Sequence, residues 1–455
     1  MWIYRFLLLA LSWAFFLIKD PAAIIWIVSI TLLGYGVGLV LSDHLRAGET
    51  PGMKAQSQMN CKRALGLSVG AIVAILVFFK YGNLFLGGGL FIPLGLSYYS
   101  LMVIGYLIDV YRGDVEAEKN ILIFALYVSF FPQITAGPIG RGKELLAIYR
   151  EKIRISPEDI KAGLFMITLG VYEKFVMADN LSKVVDSIVS SDARGMSLVV
   201  AFFMFSFVIY YDFAGYSRIA IGLGRLMGVR LADNFHAPYF STSIKEFWRR
   251  WHISLSSWFR DYLYIPMGGN KKGRIRRDLN TLLVFTVSGA WHGSALGYWL
   301  WGLIHGLFLV IENGFRSVFG KRKRAFGTMR VPLDMLKRTA VFILVSFAWV
   351  PFYSGGIDKT FSMFGRMFSG DDTFFERLYD GFGLSKKIWL VLVISFVLYL
   401  VIALLDEHFK YKLHEKIAGH GVIIFILAVV LYTVLILVGD YGSEYDAATF
   451  IYGGF

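Results

Sequence analysis

The chain has 455 residues, of which 56% are hydrophobic and only 17% charged, and its mean hydropathy is +0.58. A soluble domain is usually about a quarter charged, so this composition excludes an ordinary globular enzyme and indicates a polytopic membrane protein. The net charge of +13 does not point to nucleic acid, because the basic residues sit between apolar runs, as the positive-inside rule expects. Cys61 is the only cysteine, which rules out an intrachain disulfide and argues against a cysteine-based metal site.

A membrane span needs roughly 17–25 mostly apolar residues. The first two expected spans are Trp2–Ile18, read as an uncleaved first helix, and Ala22–Ser42, with Lys19-Asp20-Pro21 as the turn between them. The segment Asp43–Arg63 carries Arg46, Lys54, Lys62 and Arg63 and reads as a cytoplasmic loop. Leu65–Phe79 is short for a span, and Pro93 opens a helix running to Tyr111. Ile121–Phe131 leads into Phe131–Ile139, where two prolines and a glycine break the helix. Broken backbone at membrane depth is tolerated only where it is buried in protein or lines a cavity.

Arg141–Lys161, with six basic and four acidic residues, is expected to be interfacial or cytoplasmic. Gly163–Met177 and Met196–Tyr211 follow as spans. Asp212–Arg218 then interrupts the apolar sequence with an acid and a base before Ile219–Val229. Leu296–Ile311 is helical and carries His305. Lys321–Arg338 has seven basic residues against Asp334 and reads as cytoplasmic, as does the loop with Lys410, Lys412 and Lys416. Ala340–Phe352, Trp389–Leu405 and Gly421–Val438 are the remaining spans. The tail Asp440–Phe455 has three acids and no Lys or Arg, so it is expected on the outer side. Basic segments follow an odd number of crossings near residues 141 and 245, which calls for re-entrant segments at those helix breakers. No internal repeat is present, and residues 1–455 are read as a single membrane-embedded domain.

The chain is organised around Trp248–His292. This stretch opens with Trp248-Arg249-Arg250-Trp251-His252-Ile253-Ser254 and continues through Trp258-Phe259-Arg260-Asp261-Tyr262. A turn at Gly268-Gly269-Asn270 and a basic run, Lys271–Arg277, come next, and the stretch ends in Trp291-His292. Nine Lys/Arg face two acids between Lys245 and Arg277. A histidine in apolar sequence is costly unless used or paired, so both are functional candidates, against the plainer reading of core histidines bonded to backbone. His305, beside Gly306, is more simply explained by helix packing. The three histidines carry donor atoms of a kind zinc uses, but no ligand spacing supports a site, and no metal is expected.

Phe247–Ser254, Trp258–Tyr262 and Trp291-His292-Gly293 resemble the membrane-bound O-acyltransferase (MBOAT) family, most closely its bacterial alginate O-acetyltransferase branch. Phe131–Ile139, Asp212–Ser217 and Pro238-Tyr239-Phe240-Ser241 are similar to that branch too, and the likeness is best over about residues 90–315. The resemblance implies an all-α polytopic helical bundle with re-entrant segments around a central tunnel. It places His292 at the catalytic histidine and His252 at a second functional position, where many eukaryotic relatives carry Asn. Arg218 departs from the acid that usually follows Gly-Tyr-Ser in alginate-type members, which bears on the acceptor polymer more than on acetyl chemistry.

The resemblance also implies the activity. An acetyl group moves from a cytoplasmic thioester across the membrane for O-acetylation of an extracytoplasmic polysaccharide such as an alginate-like exopolysaccharide, cellulose or peptidoglycan. The alternatives are D-alanyl or longer-chain acyl transfer by the same fold and, more remotely, a transporter or flippase, although the matching broken helices of an inverted repeat are missing. The donor would be acetyl-CoA or another acyl thioester, with no bound cofactor. The expected partners are an extracytoplasmic serine-hydrolase-like acetyltransferase, an acyl-carrier protein and membrane lipids, and the expected location is a bacterial inner membrane.

A neutral imidazole suits removal of a hydroxyl proton, since its unperturbed pKa lies near 6.5. Trp251, Trp291 and Trp258 are candidate tunnel walls. Asp261 is a further candidate, though it is most simply an ion pair with Arg260. Lys271, Lys272 and Arg274 either mark the cytoplasmic side or dock an acidic donor. The tail Phe450-Ile451-Tyr452-Gly453-Gly454-Phe455 resembles the Phe-x-Tyr-x-x-Phe ending of relatives in which the tyrosine relays the acyl group. Tyr452 is thus either an acyl relay or part of an aromatic interfacial anchor.

Overall fold

The computed structural model describes residues 2–47, 54–191, 193–319, 330–370, 373–409, 413–439 and 441. Tyr452, Lys410, Lys412 and residues 321–329 of the Lys321–Arg338 segment lie outside the described residues. Those described are helical, with no strand among them. The chain packs as two compact units, one built mainly from Met1–Ile160 and Leu223–Ala232, the other from Lys161–Gly222 and Asp233–Tyr452.

In the first unit the helices are α1 (Trp2–Lys19), α2 (Ala23–Ala47), α3 (Lys54–Leu86), α4 (Leu96–Arg112), α5 (Ile121–Ser129), α6 (Phe131–Ile134) and α7 (Gly142–Arg150). The expected loop Asp43–Arg63 is mostly helix, because α2 runs to Ala47 and α3 begins at Lys54. Burial is thin here: Ser57 and Cys61 pack inward, while Lys54, Lys62 and Arg63 project outward without breaking α3. The Phe131–Ile139 breaker is the single turn α6 followed by coil. Gln133 Nε2 donates to Tyr127 O at 3.0 Å, and a Cβ at Gly137 would lie 2.4 Å from Gln133 Cα.

The second unit holds the central stretch. Two helices pass from one unit's residues to the other's: α8 (Pro157–Tyr172), which continues as a π-helical turn Glu173–Ala178 into α9 (Asp179–Ser190), and α10 (Gly195–Leu226). Then follow α11 (Ile244–Arg250), α12 (Ile253–Phe259), a π turn Arg260–Tyr264, α13 (Gly273–His292), α14 (Leu296–Phe319), α15 (Arg330–Ser354) and α16 (Ile357–Met367). The last are α17 (Phe374–Tyr379), α18 (Lys386–His408), α19 (Leu413–Ala418) and α20 (Gly421–Val438). Seven helices among the described residues are long and apolar enough to cross a membrane: α1, α2, α3, α10, α15, α18 and α20. The protein is an all-α, multi-pass membrane protein.

Asp212–Arg218 does not break its helix, since α10 runs unbroken for 32 residues. The reason is that the charges are matched by the neighbouring helix. Lys174 lies 2.7 Å from both Asp212 and Asp179, and Arg218 pairs with Glu173. Glycines let the two backbones approach: a Cβ at Gly170 would sit 2.4 Å from Gly215 O, and one at Gly222 would sit 2.6 Å from Gly163 O. The extra residue of the π turn coincides with these charges, a placement common at functional sites.

Candidate active site

The two motif histidines are held in different ways. His292 is the last residue of α13, where Gly293 takes up extended backbone and stops the helix. Its height is set by the tight crossing of α13 and α14. A Cβ at Gly289 would come 2.2 Å from Tyr298 O, and one at Gly302 would come 2.2 Å from Phe285 O. Only glycine permits that approach. His292 is 2% exposed, and its ring meets Trp291 (5.0 Å between centroids, 78°), Trp301 (5.1 Å, 86°) and Phe352 (5.6 Å, 74°) edge to face.

His252 stands before α12 with left-handed backbone, φ 42° and ψ 56°, a region a non-glycine residue enters only when its surroundings enforce it. Asn234 does the enforcing. Its carbonyl accepts from Ile253 N at 3.0 Å, and its side-chain Oδ1 accepts from Ser254 Oγ at 2.7 Å and Ser254 N at 3.3 Å. His252 is 1% exposed, with Nδ1 3.4 Å from the same Asn234 Oδ1 and Phe213 edge-on at 4.7 Å.

A continuous path of ring contacts joins the two histidines. From His292 it runs through Trp301, Trp349 (5.5 Å), Trp251 (5.1 Å), Phe235 (5.1 Å) and Phe213 (5.0 Å) to His252. Trp251 and Trp291, the two tryptophans next to the histidines, are both buried. Trp258 packs on Tyr262 and Phe259 instead, and Asp261 forms a two-point ion pair with Arg260, Oδ1 to Nε at 2.7 Å and Oδ2 to Nη2 at 3.2 Å.

Trp301, Trp349 and Asn234 were not singled out from the sequence. Trp301 and Trp349 lie in apolar runs where nothing sets them apart from interfacial aromatics, and Asn234 lies in an unremarkable Ala-Asp-Asn-Phe loop. The buried charges Glu173 and Lys174 did carry a signal, standing inside an apolar run.

Glu173 and Arg218 also line a cavity of about 90 Å³ with Tyr172, Tyr210, Phe235 and Tyr399. Phe235 thus belongs both to the cavity wall and to the ring path.

His305 is fully buried in the same aromatic cluster, stacked on Phe247 (6.1 Å, 6°) and edge-on to Trp248 and Trp301. Neither ring nitrogen has a hydrogen-bond partner among the described residues. An unsatisfied buried polar atom costs about 1–3 kcal/mol, so His305→Phe is expected to leave the thermal midpoint unchanged or raise it. A fall of several degrees would show that the ring nitrogens are in fact bonded. No group of three or more His, Cys, Asp or Glu that could share a metal ion occurs among the described residues.

The basic run is only partly a loop. Lys271 and Lys272 are exposed in the turn, whereas Arg274 already belongs to the first turn of α13. The turn uses positive φ at Gly268 (102°), Gly269 (51°) and Gly273 (85°), and buried Asn280 pins it by donating to Gly269 O at 3.2 Å. On α11, Arg250 bridges Glu246 (2.6 Å) and Glu407 (2.9 Å). Burial alone would raise the Glu246 carboxyl, but hydrogen bonds from the Thr242 hydroxyl and N–H and the nearby Arg250 outweigh it and hold the group below its usual range.

Comparison with known proteins bears on the same residues. The model of the membrane-bound O-acyltransferase family matches residues 117–350. A probable alginate O-acetylase AlgI of Pseudomonas putida is 35% identical over 386 residues, covering 80% of this chain and 75% of that protein. A peptidoglycan O-acetyltransferase of Helicobacter pylori is 32% identical over 355 residues, covering 69% and 66%. A teichoic acid D-alanyltransferase of Bacillus subtilis is 28% identical over 237 residues, covering 49% and 60%. With the multi-pass helical fold and the Trp-His-Gly end of α13, these matches establish that the chain belongs to the membrane-bound O-acyltransferase (MBOAT) family and is an O-acyltransferase.

Proposed function

We propose that the protein takes an acetyl group from a cytoplasmic thioester, either acetyl-CoA or an acyl-carrier protein, and passes it through the membrane for O-acetylation of an extracytoplasmic polysaccharide. The observation that carries this reading is the layout of α13. Its 20 residues are roughly 30 Å long at about 1.5 Å per residue. One end of the helix begins at the exposed cationic turn and the other ends at His292, enclosed by aromatic rings. That arrangement suits docking an acidic donor on the surface and using its thioester in a dry interior, where hydrolysis is suppressed.

In this mechanism His292 removes the proton of the acceptor hydroxyl as its oxygen attacks the thioester carbonyl. The C–O bond forms, the C–S bond breaks, and the imidazolium returns the proton to the departing thiolate. His252 supplies the second polar contact to the reacting groups, and Trp251 and Trp291 wall their path. The relatives named for O-acetylation match this chain at higher identity than the D-alanyl relative does, which favours acetyl over D-alanyl transfer. The acceptor side calls for a partner, and we assign that part to an extracytoplasmic serine-hydrolase-like acetyltransferase. We place the protein in a bacterial inner membrane with its acidic tail outside.

Charge reversal at Lys271, Lys272 and Arg274 tests the docking site. The triple variant is expected to raise the donor KM several-fold with kcat unchanged, and added salt should produce the same effect in the wild type. A rate that saturating donor fails to restore would exclude docking there. On the outer side, the 12 residues after Asp440 up to Tyr452 could reach roughly 40 Å at about 3.3 Å each, enough for Tyr452 to enter a tunnel mouth. There the tyrosine would accept the acyl group as a phenyl ester, with His292 as base. Tyr452→Phe is expected to stop polymer acetylation, and mass spectrometry should find acetyl on Tyr452 of the wild type. Normal acetylation by the variant would leave the tail an interfacial anchor.

A further inference from the structure

We infer that Asn234 is a positioning residue that fixes the tautomer of His252, leaving Nε2 as the bare, proton-accepting nitrogen. The backbone N–H of Ser254 can only donate, and it points to the Asn234 side-chain atom assigned as Oδ1, 3.3 Å away. That atom is therefore the oxygen, since the reversed amide would set two donors against each other. Ser254 Oγ donates to the same oxygen at 2.7 Å. An amide oxygen only accepts, so His252 Nδ1, 3.4 Å from it, must carry the ring hydrogen, and Nε2 has none.

Nε2 is buried with no partner among the described residues. It is left free to accept a hydrogen bond from a hydroxyl or amide N–H of a substrate. The left-handed backbone at His252 and the bond from Ile253 N to Asn234 O hold the ring against this oxygen. The arrangement parallels the orienting acceptors behind functional histidines, whose loss typically costs about 10–100-fold.

The inference rests on the proposed role of His252 in transfer, but its test has a readout that does not depend on activity. The ring nitrogens of His252 are labelled with 15N in the full-length protein in lipid vesicles, and acetyl transfer is followed in parallel. The wild type is expected to show one tautomer, Nδ1–H. Asn234→Asp keeps an accepting oxygen and should retain that tautomer and most of the activity. Asn234→Leu removes the oxygen and should give mixed tautomers, with kcat reduced on the order of tenfold to a hundredfold and donor KM little changed. An Nε2–H tautomer in the wild type, or a pure Nδ1–H spectrum in Asn234→Leu, would overturn the assignment. Should the tautomers behave as expected while wild type and variants alike transfer no acetyl, the positioning role would stand and the acetyltransferase reading would fall.

Discussion

Replacing His292 by Ala or Gln is expected to lower acyl transfer by about 10²–10⁴-fold, the usual contribution of a general base, while the protein still inserts and purifies normally. The structure gives reason to expect normal folding. His292 terminates α13, and its ring meets Trp291, Trp301 and Phe352 edge to face, contacts that Gln can partly fill. The crossing that sets its position depends on Gly289 and Gly302, which the substitution does not touch. Transfer within a few-fold of wild type in either variant would remove His292 from the mechanism. His252→Ala should also be severe, whereas His252→Asn retains an accepting oxygen and should keep part of the activity.

The second large effect is on stability. Lys174 is 1% exposed and lies between Asp179 and Asp212, 2.7 Å from each. Lys174→Met would remove the cation that lies between these two buried carboxylates. Breaking a buried pair in this way costs about 3–5 kcal/mol, because the remaining charges keep their desolvation penalty and lose the compensating attraction. The expected result is a sharp fall in folded protein in detergent and a thermal midpoint lowered by many degrees. The triple variant Lys174→Met, Asp179→Asn, Asp212→Asn removes the charge imbalance and should recover much of the loss. If Lys174→Met alone were as stable as the wild type, the cluster would not be a structural ion network, and the unbroken course of α10 through Asp212 and Arg218 would need another cause.

Much of the fold could be read from hydropathy, because in a bilayer an apolar run of sufficient length has few alternatives to a helix. Gly421–Val438 matches α20 at both ends. Hydropathy fails where charge is paired rather than exposed. Asp212 and Arg218 look like a break between two spans until their partners on the π turn, Lys174 and Glu173, are known, and those partners are 38 and 45 residues away in sequence. The basic run was legible as charge but not as structure, since α13 begins inside it at Gly273. At the site, the two motif histidines and Trp251 and Trp291 stand out in sequence because polar rings in apolar surroundings are rare. Trp301 and Trp349 complete the ring path through tertiary contacts alone, which no local pattern encodes. Asn234 is invisible for the same reason: its importance lies in one oxygen that collects three donors from a segment 18–20 residues further on.

Acetyl transfer through His292 is tested by the acetyl-ester content of the extracytoplasmic polysaccharide, read by mass spectrometry. The comparison is between cells lacking this protein and the same cells given either the wild type or His292→Gln. If His292 carries acetyl transfer, polymer-bound acetyl will be absent without the protein, restored by the wild type and not restored by His292→Gln. Restoration by His292→Gln would contradict the catalytic assignment. An ester that proved to be D-alanyl would contradict acetyl transfer.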